Sequence, residues 1–304
     1  MQSAQTLLAE LVDYAGLFPP AKLDMATAVA NYNAYVACEH NWMLGRLIVP
    51  LSRLDEFETE SRTLLPTDEN AMPWMISALL PPVGEGDLDA AFDRIDQFNE
   101  SHSAPERGLA LIDTVELKAA TASMIDDAID AIPEGVTPFF EIPTGADPRG
   151  MVAALSGTGA RAKIRTGGVE PEMIPLTRDV LNFILACAGA RVAFKATAGL
   201  HHPIRKVYPL TYESDAPRGL MHGYINVFLA ATVVYTELAN EADAAAILDE
   251  ENADAFTFAD DRVTWRDLTI DAERLALGRE EFALSFGSCS FEEPVADATH
   301  LQLI

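Results

Sequence analysis

Only five lysines accompany 16 arginines in this chain, and two of the five stand inside consecutive apolar segments, Lys163 in ARAKIRTGG and Lys195 in RVAFKATAGLHHP. Burying an ammonium without a partner costs several kcal/mol or forces its pKa down, so such placements ask for a chemical reason. In an extended chain residues two apart share a face. Lys163 and Arg165 therefore point the same way, as do Ala193, Lys195 and Thr197. Two amines and a guanidinium converge at segment ends, just before the small-residue turns TGG and TAG. Desolvation together with a second cation favours a neutral amine near pH 7, which imine formation with a carbonyl compound requires. The alternative is that both lysines emerge into solvent or pair with surface acids.

Carboxylates stand in comparable places: Glu141 in FFEIP and Glu116 in IDTVELK, each near the end of an apolar run. They can hold the lysines as ion pairs or serve as general acid and base, since a carboxylate beside a lysine tunes both groups. Asp113 lies on the opposite face from Glu116, so only one of them points inward unless a bulge intervenes. Arg165 can grip a carboxylate or phosphate in two places. Thr166, Gly167 and Gly168 after it can offer backbone N–H groups to the same anion, although such glycines often only supply positive φ. Thr197 joins this set by sharing a face with Lys195.

His201, His202 and His222 are half of the six histidines. One of His201 and His202 suits proton transfer or polarisation of a substrate, whereas adjacent histidines diverge and rarely reach one metal together. His222 reads as a capping or packing residue. Two further stretches, DYAGLFPPA (13–21) and SFGSCSFEEP (285–294), can form a lid or wall, or else a rigid connector and a core-facing Cys289. A nucleophilic cysteine would need a base and a lowered pKa.

The elements that must position these residues follow from the pattern. A helix is expected over 3–14. Short apolar runs at 45–51, 73–80, 108–117, 137–143, 160–168 and 191–197 then alternate with helix-period segments, several opened by Ser, Thr or Asp. Strands separated by single helices imply right-handed parallel βαβ units. The fold class is α/β, a (β/α)8-type barrel in a single domain over 1–304. The pattern becomes irregular after 205: an apolar helical stretch from about 221, a β-hairpin over 254–270 whose Phe256, Phe258 and Trp265 read as core or subunit contact, and a closing strand in 282–290.

Composition limits the functions available. With 304 residues, 49% of them hydrophobic, the chain can bury a large core, and a net charge of −26 disfavours nucleic acid and anionic membrane as partners. The acidic N-terminal segment predicts no export signal, and three scattered cysteines predict neither disulfides nor a structural zinc site. A cytoplasmic location is the expectation.

KIRTGG and FKATAGLHHP resemble the strand ends of class I aldolases of the deoxyribose-phosphate type, over about 40 residues. The resemblance implies a Schiff-base lysine and a second lysine that depresses its pKa, roles that fall on Lys195 and Lys163; Arg165 and the His201, His202 pair depart from that pattern. DYAGLFPPA, FKATAGLHHP and GSCSFEEP also resemble a bacterial protein family with no established activity, which implies no chemistry. The expectation is an aldolase-like enzyme acting on a small anionic carbonyl compound without a cofactor, with homo-oligomerisation open. The alternatives are a lyase or isomerase using a divalent metal on Glu141, Glu116 and a histidine, and a sensor that binds a metabolite without turnover.

Overall fold

The computed structural model describes residues 1–304 and contains a closed barrel of eight parallel strands. In chain order these are β1 (Val12–Tyr14), β2 (Leu44–Pro50), β3 (Trp74–Leu79), β4 (Ala110–Lys118), β5 (Thr137–Ile142), β6 (Arg161–Arg165), β7 (Phe194–Thr197) and, after an excursion, the closing strand Ala283–Ser288. Each of β1 to β6 is followed by one main helix: Met25–Val36, Leu54–Ser61, Leu88–Ser101, Ala122–Ile129, Arg149–Leu155 and Thr177–Ala190. Polar caps fix several helix starts, as expected: Asp24, Asp87 and Thr121 each accept the backbone N–H three residues on.

The expectation that fails first is the N-terminal helix over 3–14. The helix ends at Leu8, and Val12–Tyr14 is a barrel strand pairing with both the closing strand and β2. Three residues are too few to display a period, and they follow directly on an apolar helical turn. Beyond β7 come an antiparallel pair, β8 (Lys206–Pro209) and β9 (Arg218–Met221), and the helices Tyr224–Tyr235 and Glu241–Leu248. The expected hairpin over 254–270 is a three-stranded antiparallel sheet, β10 (Phe256–Phe258), β11 (Arg262–Trp265) and β12 (Leu268–Asp271). The closing strand is then β13.

The strands alternate sharply. Outward residues such as Ala162 and Ile164 of β6 and Phe194 and Ala196 of β7 are buried beneath the helices, and Phe194 meets Phe183 edge to face at 5.3 Å. Inward residues are largely polar: Arg161, Lys163 and Arg165 on β6, Glu116 and Lys118 on β4, Glu141 on β5, Lys195 on β7 and Asp13 on β1. Parallel barrels usually fill this space with Val, Ile and Leu. Here the apolar core lies between barrel and helices, and the lumen carries charge.

One segment, Pro171–Ala190, is apolar and long enough by length and composition alone to cross a membrane, with mean hydropathy 1.3. It comprises a short turn and the helix Thr177–Ala190, whose Val180, Phe183, Ile184 and Cys187 pack against the barrel.

Candidate active site at the barrel mouth

Strand alternation places one charged side chain beside the next until they form a continuous ladder through the barrel. Lys195 Nζ lies 2.5 Å from Asp13 Oδ2 and 2.7 Å from Glu116 Oε1. Lys163 Nζ lies 3.0 Å from Glu116 Oε2 and 2.9 Å from Glu141 Oε2. Glu141 Oε1 is in turn 3.6 Å from both Lys118 Nζ and Arg165 Nε. Hydroxyls complete the ladder: Ser77 donates to Glu116 Oε1 at 2.9 Å and Ser285 to Asp13 Oδ2 at 2.8 Å. Asp13 Oδ1 also accepts the backbone N–H of Arg46 at 2.8 Å.

Burial and charge oppose each other at Glu116, Glu141 and Lys195, and the charges prevail. Burial alone would raise the Glu116 carboxyl, but Lys195 and Lys163 outweigh it and hold Glu116 well below the ordinary carboxylate range. Glu141 is lowered in the same way, burial opposing and Lys163 dominating the attraction. Burial alone would lower the Lys195 ammonium, but Asp13 and Glu116 raise it above its ordinary value. The expectation of a neutral Lys195 is thereby corrected. A neighbouring cation is present, but two carboxylates intervene.

The ladder joins two cavities. At the C-terminal ends of the strands, where barrel enzymes place their sites, a mouth of about 390 Å³ is lined by Lys163, Glu116, Glu141, Arg165, Lys118 and His201 among others. Ile48, Leu79, Val169 and Met173 give it an apolar side, and Phe18, Pro19 and Pro20 of the DYAGLFPPA stretch form a wall. Lys195 does not line this mouth; it lines a second cavity at the N-terminal end. Although Lys163 and Lys195 are register partners on adjacent strands, strand tilt in a closed barrel puts neighbours at different heights.

The remaining candidates separate into mouth and scaffold. His201 lines the mouth with Nδ1 3.1 Å from Glu293 Oε2 and 3.3 Å from Ser288 Oγ. His202 turns away, stacking on Tyr208 at 3.7 Å with Nδ1 2.6 Å from Asp297 Oδ2. His222 is buried, its Nε2 2.9 Å from the Pro175 carbonyl. Thr166 donates its hydroxyl to the Ala198 carbonyl at 2.5 Å, tying the turn after β6 to the turn after β7. Gly167 belongs to the same tie: a Cβ on Gly199, which has φ +80°, would stand 2.7 Å from the Gly167 Cα. Gly168 and Thr197 do border the mouth, as does Cys289, whose thiol is pushed up by burial and lies 3.4 Å from the Tyr212 hydroxyl.

Sequence reasoning did not single out Asp13, Ser77, Ser285, Arg46 or Lys118. A bulge does intervene at Asp113, where β4 slips one residue against β3, and Asp113 grips Arg46 with two hydrogen bonds of 2.7 and 2.6 Å. No three His, Cys, Asp or Glu side chains are arranged to hold a metal ion. Lys163 bridges Glu116 and Glu141, and His201 is paired with Glu293, so the three donors expected for a divalent metal do not fit one.

No protein-family model matches the chain, and no curated protein matches it. Among solved structures it is similar to the spore cortex-lytic enzyme SleL of Bacillus megaterium QM B1551, with 9% identity, a TM-score of 0.39, and coverage of 97% of this chain and 73% of that one. Nothing about the site follows from that likeness.

Proposed function

We propose that the protein is a barrel enzyme acting on a small anionic carbonyl compound, with Lys163 as the reacting amine and Glu141 as its proton partner. The observation that carries this reading is the placement of Lys163. It is the buried amine that lines the mouth, and it stands 2.9 Å from a Glu141 oxygen that accepts no aligned hydrogen bond. The aldolase resemblance is kept with its two lysine roles exchanged. Lys195, locked between Asp13 and Glu116 and facing the other cavity, is the electrostatic support.

Each step has an available group. Lys118 and Arg165, both half-exposed at the rim, can swing onto the anionic end of a substrate while the apolar side holds the rest. The Lys163 ammonium passes a proton to Glu141, and the freed nitrogen lone pair adds to the carbonyl carbon. The carbonyl oxygen takes that proton back from Glu141, the adduct nitrogen then releases a second proton that Glu141 relays to the same oxygen, and the oxygen leaves as water, giving an iminium at Lys163. That cation can accept the electron pair of a breaking C–C or C–H bond. His201 is the second proton carrier at the mouth, held by Glu293. The three unpaired cysteines support a reducing, cytoplasmic setting.

A second reading is proton abstraction and enolate stabilisation by the same Lys163–Glu141 pair without a covalent adduct. The contact of Lys163 with two carboxylates favours it, since that setting suits an ammonium acting as a charge. A panel of short 2-keto acids, phosphorylated aldehydes and their aldol products, followed by NMR, tests the activity. Turnover or α-hydrogen exchange that disappears in Lys163→Met supports the proposal. Turnover unchanged in that variant, or none across the panel, would count against it.

A further inference from the structure

The three inward cations of β6 differ in their company. Lys163 touches Glu116 and Glu141, and Arg165 is within ion-pair distance of Glu141. Arg161, at the N-terminal end of the strand, has no carboxylate against it; its guanidinium lies 5.6 Å from the centre of the Phe139 ring. In a chain with net charge −26, an inward arginine without an acid is unexpected. Burial lowers its pKa and nearby Arg46 lowers it further, with Asp113 opposing from beyond contact distance, so the charge is held at a cost.

Arg161 lines the second cavity, about 480 Å³ in volume, at the N-terminal end of the barrel. Arg279 lines it too and is buried with no carboxylate in contact: its Nε, Nη1 and Nη2 donate to the carbonyls of Leu7, Ala283, Leu284 and Ala9. The acids in and around this cavity are otherwise occupied or peripheral. Asp13 is held by Lys195 and Ser285, Asp113 by Arg46, and Glu10 and Glu280 are exposed. Two positive charges thus border an open chamber with no anion of the protein touching either.

We propose that this N-terminal cavity is a binding site for a small oxyanion, a carboxylate or phosphate metabolite, which Arg161 grips directly while the fixed charge of Arg279 supports it. Arg279 has most of its N–H donors committed to carbonyls, so it contributes field, whereas Arg161 has its planar fork free. The site is separate from the mouth, and it stands whether or not Lys163 forms an imine.

The test is arginine labelling of the full-length protein by phenylglyoxal, read by peptide mass, with inorganic phosphate and succinate as separate probes against sodium chloride of equal ionic strength. Phosphate or succinate is expected to slow labelling of Arg161 about tenfold, the stronger probe identifying the oxyanion class. Calorimetric affinity for that probe is expected to fall about tenfold in Arg161→Gln and to change less than about twofold in Arg165→Gln at the mouth. Protection by chloride alone, protection of Arg165 without Arg161, or no protection by either probe would overturn the proposal. Should Arg161→Gln fail to fold, labelling of the unaltered protein decides the matter.

Discussion

Lys163 and Lys195 share one carboxylate: Glu116 presents Oε2 to the first at 3.0 Å and Oε1 to the second at 2.7 Å. All three side chains are buried, so this carboxylate separates two like charges that would otherwise face each other in a low-dielectric lumen. Replacing it with a neutral isostere leaves both ammonium groups short of a partner. Glu116→Gln is expected to lose about 3–5 kcal/mol of stability, the range for one partner removed from a buried pair. Urea unfolding measures this, and a loss under about 1 kcal/mol would mean the ladder contributes little.

The Asp13–Lys195 contact gives a separate expectation, because Lys195 is assigned support and not chemistry. Lys195→Met strands Asp13 and should destabilise strongly, whereas the double variant Asp13→Asn/Lys195→Met should recover a substantial part of the loss, leaving a coupling of about 1–3 kcal/mol in the cycle. Additivity of the two single changes would show that the 2.5 Å contact is not energetically coupled.

Stability should show two pH limbs, with signs fixed by the directions of the shifts. Glu116 and Glu141 are lowered in the folded state, so their contribution is complete above the ordinary 4.5 and is lost as pH falls through the folded values. Lys195 is raised, so its contribution is complete below the ordinary 10.5 and is lost as pH rises through the folded value. The difference in unfolding free energy between the parent protein and a Glu116→Leu/Lys195→Met variant cancels much of the general titration of so acidic a chain. It should be flat between those two values and fall outside them.

Arg165 and Lys118 are placed at the rim to hold the anionic end of a substrate. Arg165→Gln should raise KM about 10- to 100-fold with a smaller effect on kcat, the loss of one charge-assisted contact. Initial-rate kinetics over a salt series would check it, and a selective loss of kcat would place Arg165 in the chemical step.

Much of this architecture is legible in the amino-acid sequence. Seven barrel strands are apolar runs bounded by turn residues, so period and length reveal them; β1, three residues long, gives neither signal, and Asp13 therefore reads as part of a helix and a loop. The inward direction of Arg161, Lys163 and Arg165 follows from two-residue alternation alone. Which amine reaches which cavity does not, because it depends on the stagger of tilted strands around a closed barrel, a property of the whole sheet. The raised pKa of Lys195 is hidden from the sequence for a related reason. Its two carboxylates come from β1 and β4, distant in sequence, and only closure brings them to the same nitrogen.

The most direct measurement on the central claim is borohydride reduction in the presence of a candidate keto acid or aldehyde, followed by peptide mass mapping. The account predicts a reduced adduct on Lys163, absent in Lys163→Met and still formed in Lys195→Met at a lower rate. An adduct on Lys195 with Lys163 unmodified would contradict it, as would full turnover with no adduct on either lysine.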